Sequence, residues 1–82
     1  IMHISLQPGE SLKPHKTPVD VAMYILEGTP TVHIGDESET YVKDTLIESP
    51  ANVPHHISNE AGETARILVI KAPRPENKSR IL

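Results

Sequence analysis

Apolar residues recur along the chain in short bursts, without the sustained three-to-four-residue rhythm of an amphipathic helix. Residues 2–7 alternate, with Met2, Ile4 and Leu6 on one side, and end at Pro8-Gly9-Glu10. The longest apolar run, residues 21–26, lies in the stretch PHKTPVDVAMYILEGT, between Pro18 and Gly28. That spacing is too tight for an ordinary helix and predicts a strand over residues 19–26, with both faces covered. Thr31–Ile34 reads as a further strand, turned at Gly35-Asp36 and returning over residues 40–42. Residues 45–48 and His55–Ser58 flank the turn-forming PANVP, and Gly62 precedes a last strand over residues 64–71. Residues 12–15, interrupted by Pro14, suit an edge or a barrel rim. Many short strands with turn residues between them predict an all-β, antiparallel sandwich or barrel. The segments 14–29 and 49–59 are expected to face each other inside it.

Composition narrows this picture. The chain has 82 residues, enough for one small domain, expected over residues 1–73, with residues 74–82 as a C-terminal tail. There is no Cys, Trp or Phe and there are only two Tyr, so Ile, Leu, Val, Ala and Met must build the core. A domain of this size buries only about 60% of its unfolded surface, and no disulfide can supplement that. A homodimer is therefore expected. Net charge is −3 with mixed signs, without a basic stripe or stacking aromatics, which argues against nucleic acid. No apolar run approaches the roughly 20 residues that span a bilayer, and no signal-peptide pattern is visible in the residues given. A cytoplasmic protein without a membrane partner is expected. The absence of cysteine removes thiol catalysis.

The segments PGESLKPH, YILEG and DTLIESPANVPHHISN resemble the two motifs of the cupin superfamily, small jelly-roll barrels. The first family motif reads G-x5-H-x-H-x3,4-E-x6-G. Gly9, His15 and Gly28 match it, while its second histidine falls on Thr17 and its glutamate on Val21. The second reads G-x5-P-x-G-x2-H-x3-N. Pro50, His55 and Asn59 match it, its internal glycine is Asn52, and its opening glycine is aligned with Lys43, one residue too early. Asn tolerates the positive φ that a glycine there would supply. The resemblance implies a small antiparallel jelly-roll β-barrel and a dimer.

It also implies a place for chemistry. In metal-binding cupins, three histidines and a glutamate converge on one divalent ion; this chain keeps His15 and His55. Thr17 is a poor ligand and Val21 offers none, and Asp20 alternates to the opposite side. His33 is the candidate third ligand, with its side of the strand left open by the sequence, and His56 should face outward beside His55. The site expected is thus His15, Thr17, Met23 and His55 around a small-molecule ligand. A weakly bound divalent metal (Zn, Ni, Mn or Fe) on His15 and His55 is the alternative occupant. Ser49 and Ser58 lack a nucleophile-elbow setting, and no phosphate loop is present. Three functions remain open: a small-molecule-binding cupin with a partly lost metal site, a metal-dependent enzyme of dioxygenase or isomerase type, and a structural or regulatory barrel acting through its dimer surface. Whether the protein is an enzyme is not decided by these residues.

Overall fold

The computed structural model describes residues 1–71; the expected boundary between domain and tail at residues 73 and 74 lies outside them. Seven strands form: β1 (Met2–Leu6), β2 (Val21–Glu27), β3 (Thr31–Ile34), β4 (Glu37–Thr40), β5 (Leu46–Ser49), β6 (His55–Ser58) and β7 (Ala65–Lys71). Among the described residues there is no helix, and so none long and apolar enough to cross a membrane. Two antiparallel sheets face each other, ordered β1-β7-β2-β5 and β4-β3-β6.

Two details differ from the sequence pattern. The return strand after Gly35-Asp36 is Glu37–Thr40 rather than residues 40–42. All four of its residues are exposed. A sheet-edge strand with polar side chains carries no hydrophobic alternation to read, and its pairing with β3 follows from the tight turn at Gly35, where φ is +59°. Residues 12–15 form no strand of their own. The chain there runs antiparallel to β6 through single bridges at Ser11–Ser58 and His15–His55, helped by Leu12 N donating to Ile57 O. Pro14 cannot donate to a ladder, which limits the pairing to these points.

The inner face of β2 is Val21, Met23 and Ile25, all buried; Ala22, Tyr24 and Leu26 on the outer face are half-buried. Registers place Met2, Val69 and Met23 in one inward row, Ile4, Ile67 and Ile25 in the next, and Leu6 with Ala65 at the end. Burial follows the rows. Ile25, Ile67, Ala65 and Leu6 are sealed, whereas Val69 is half-buried and Met2 is 52% exposed. The barrel is therefore packed at the Leu6 end and open at the Met2 end.

Asn59 ties the packed end together. It is wholly buried; its Nδ2 donates to Leu6 O at 3.0 Å and Glu63 O at 2.6 Å, and its Oδ1 accepts from Ala61 N at 3.2 Å. Its backbone accepts from Gly9 N and donates to Glu10 O. One side chain thus joins the end of β1 to the connection between β6 and β7 and satisfies the buried Leu6 carbonyl.

Gly28 closes β2 at φ +82°, after a register shift between Ile25 and Glu27. A Cβ there would lie 2.5 Å from the Thr64 carbonyl oxygen and 2.9 Å from Ala65 Cα, both backbone atoms that cannot swing aside. Gly28→Ala combines that collision with a left-handed backbone, and a loss of about 2–4 kcal/mol is expected. Urea unfolding followed by circular dichroism checks it; a midpoint equal to wild type would show that the turn can relax.

Candidate functional site

The open end holds a cavity of about 320 Å³. This is at the lower end of the range for small-molecule pockets. The four-stranded sheet contributes Met2, Ile4, Val21, Met23 and Val69 to its walls, and the facing side contributes Leu12 and Ile57. The remaining lining residues are Lys13, His15, His55, His56 and Lys71.

His15 and His55 meet because their backbones pair. Each donates its N–H to the other's carbonyl, at 3.1 and 2.9 Å. Directly opposed residues of an antiparallel pair project to the same side, so both rings turn into the barrel mouth. Their centroids are 4.6 Å apart at an interplanar angle of 66°. His55 is buried, with Nδ1 facing Ser49 Oγ at 3.4 Å, while His15 is exposed and its Nδ1 lies 3.4 Å from Lys13 O. Burial lowers the pKa of His55 below the usual imidazole value. The adjoining His15 lowers it further, a hydrogen bond to the Val53 backbone opposes the shift, and His56 and Lys71 add to it.

The turns that carry these histidines use residues in left-handed backbone. Asn52 has φ +65°, as expected for the internal glycine position, and donates its N–H to Thr17 O at 2.7 Å. The opening glycine position belongs to Asp44, at φ +68°, and not to Lys43. With Asp44 as the start, the spacing to Pro50 is five residues, and the second motif runs without an insertion. Asp44 also accepts a hydrogen bond from Tyr24 Oη at 2.6 Å. The motif spacing and the tolerance of Asp for positive φ both favour Asp44 over Lys43, and the backbone angle confirms it.

Of the expected site residues, His15, Met23 and His55 come together on the cavity wall. Thr17 does not join that wall: its hydroxyl donates to Val19 O at 2.7 Å, capping its own turn. His33 lies on the other face of its sheet, since it pairs with His56 while Ile34 pairs with His55. There it stacks on His56 with centroids 4.0 Å apart and planes within 6°. The Ser58 hydroxyl donates to Glu60 Oε2 at 3.2 Å, so its oxygen accepts from His33 Nε2 at 3.0 Å. His56 stacks outward as alternation predicts and also borders the cavity. Lys13 and Lys71 were not singled out from the sequence. The period of two could have found them, because Lys13 shares the side of His15, and Lys71 shares that of Ala65, Ile67 and Val69.

Asp20 turns away from the mouth, its Oδ1 accepting from Ala51 N at 2.8 Å. Among the described residues no group of three or more His, Cys, Asp or Glu side chains could hold a metal ion. The donors that converge are the two imidazoles, short of the three protein ligands that a catalytic transition-metal site uses.

With this geometry in hand, comparison with known proteins is direct. The sequence profile of the family described as Cupin domain matches residues 2–71, and the chain belongs to that family. The structure is similar to that of TT1209 from Thermus thermophilus, with a TM-score of 0.82 and 35% identity, covering 89% of this chain and 70% of that one. It is also similar to an RmlC-like cupin family protein with a double-stranded β-helix fold from Methanocaldococcus jannaschii, with a TM-score of 0.81 and 29% identity over 87% of this chain and 66% of that one. The antiparallel jelly-roll expected from the two motifs is thus the fold. Among curated proteins, the chain is 33% identical over 78 residues to the tetracenomycin polyketide synthase protein TcmJ of Streptomyces glaucescens. That match covers 90% of this chain and 52% of the relative, so the chain spans about half its length.

The lowered His55 pKa has a sign that can be checked. The unfolded chain binds a proton near pH 6.5 and the fold resists it, so the unfolded state holds more protons in between. The contribution of neutral His55 is complete above pH 6.5 and is lost as pH falls through 6.5 toward the lowered native value. Urea midpoints measured between about pH 8 and about pH 5 should fall more steeply for wild type than for His55→Gln, with a residual slope from His56, whose pKa burial and His33 also lower. Parallel curves would remove His55 from this role.

Proposed function

We propose that this cupin domain binds a small, mainly apolar molecule in its open end and does so without a resident metal. The observation that carries this reading is the cavity itself: seven apolar side chains form its walls, and among the described residues no three His, Asp or Glu side chains gather to hold a metal ion. A pocket of this kind gains affinity from apolar contact and takes orientation from a few polar groups. His55, buried and biased toward its neutral form, is placed to accept or donate one hydrogen bond to such a ligand. The similarity to a polyketide synthase protein makes polyketide-derived aromatic molecules the first compounds to screen.

Binding to the full chain is tested by titration calorimetry with 2-naphthoate, a probe that matches the cavity in size and apolar character. Wild type should bind it, and Met23→Trp, which fills the cavity at a cost of about 1–3 kcal/mol in stability, should not. Failure of wild type to bind 2-naphthoate or its uncharged amide would overturn the reading. Chelator-treated protein offered Zn, Ni, Mn or Fe should take up metal weakly and lose it on dialysis. Stoichiometric retention that disappears in His55→Ala would restore the metal-dependent alternative.

A specific observation favours a homodimer as well. The outer face of the β1-β7-β2-β5 sheet sets half-buried Tyr24, Leu26, Leu68 and Ile70 beside Leu46, which is 57% exposed. We propose that a second copy covers this face, completing the two-sided cover that the apolar run of β2 calls for. Light scattering should give twice the 9.0 kDa chain mass, and Leu46→Glu should shift it toward one. A monomer at all concentrations would defeat the idea.

A further inference from the structure

We propose that the molecule this cavity takes is an organic anion, with a compact apolar body inward and one carboxylate or acidic enol or phenol oxygen at the rim. The inference rests on the reading of the cavity as a ligand site and adds the charge of the ligand.

The chain as a whole is acidic, with 11 Asp and Glu against 8 Lys and Arg. The cavity reverses that balance. Among the described residues its ionisable side chains are Lys13, His15, His55, His56 and Lys71, all bases, and no carboxylate of those residues borders it. Neither lysine is ion-paired to a described residue; the salt bridge among those residues is Arg66–Glu27. Asp20 and Glu48 border a separate surface pocket with Ser49 and Pro50. Two cations and the His15 and His55 imidazoles therefore face a low-dielectric mouth, with His56 at its border stacked on His33, and no described residue supplies a counter-charge. Field lines concentrate in such a mouth, and an anion entering it gains more than it would at an open surface. The direction of the His55 shift agrees, since part of it comes from neighbouring His15, His56 and Lys71.

The floor restricts the rest of the ligand. Val21, Met23, Ile57 and Val69 present no hydrogen-bonding side chain to the interior. A sugar or other polyol would lose its water there without replacement, at a cost of about 1–3 kcal/mol for each unpaired group. Polar recognition is confined to the rim, and only a ligand with its charge at one end satisfies both regions.

The test compares probes of one shape on the full chain. 2-Naphthoate should bind roughly tenfold or more tightly than its neutral isostere 2-naphthamide. Lys13→Gln/Lys71→Gln, two exposed positions outside the core, should erase most of the difference between the two probes. Naphthoate should also raise the His55 imidazole pKa followed by proton NMR, because a bound anion favours the charged ring. 4-Nitrophenolate carries the same charge on a phenol oxygen, and whether it or naphthoate binds more tightly assigns the oxyanion. Equal affinity for naphthoate and naphthamide, both blocked by Met23→Trp, would overturn the anion proposal and leave the cavity reading standing. Tighter binding of glucose 6-phosphate than of naphthoate would overturn the apolar-body requirement. Binding of neither naphthalene probe would overturn both readings.

Discussion

The rest of this domain depends on β2 being held on both sides. Its residues pair with β5 through Val21 to Tyr24 and with β7 through Val21 to Glu27, so its inward side chains are fixed against both neighbours. Val21, Met23 and Ile25 are each worth about 1.5–3 kcal/mol when buried. Gly28 lets the strand end against the Thr64–Ala65 backbone, an approach no other residue permits. Loss of that approach would pull β2 away from β7 and open the packed end that Asn59 latches.

An aliphatic core also sets where the cavity lies. Without Phe or Trp, the inward rows are filled by Ile, Leu, Val, Ala and Met, and these seal the Leu6–Ala65 end. Nearer Met2 the same strands and the facing β6 with the point-paired stretch before it line the cavity of about 320 Å³. The cavity is thus the complement of the core, built by the same alternation on the same strands. Its polar rim follows as well, because Lys71 is the last inward position of β7, and His15 and His55 are opposed residues of one backbone pair.

The site keeps the cupin frame with other residues at two of the family's ligand positions. Val21 stands at the family's glutamate position and lines the cavity as an apolar wall, paired in register with Ser49 and Lys71. Thr17 stands at a histidine position and turns its hydroxyl back to its own chain. Where a metal-binding cupin gathers donors, this chain gathers hydrophobic surface beneath two imidazoles. Scaffold and chemistry are separable here, which is why family membership alone does not give the ligand.

Much of the architecture was legible in the sequence. Thr31–Ile34 and His55–Ser58 were read with their observed ends, and β1, β2, β5 and β7 within two residues, because a half-buried strand writes its period into its residue types. Edge strand β4 was misplaced because nothing buries it, so ESET carries no such period. Asp44 was passed over for Lys43 although the motif's five-residue spacing and the tolerance of Asp for a left-handed backbone angle both pointed to it. The meeting of His15 with His55 was legible through motif spacing, whereas the outward stacking of His33 on His56 required the β3–β6 register. A one-residue slip there would exchange the faces of both. By itself, then, the sequence determined the barrel, its aliphatic core and its pair of histidines, since local alternation and turn residues encode them. The tertiary structure decided that Met23 joins the cavity wall, that Thr17 and His33 turn away and that Lys13 and Lys71 border the rim, because strand register and burial exist only once the sheets have paired.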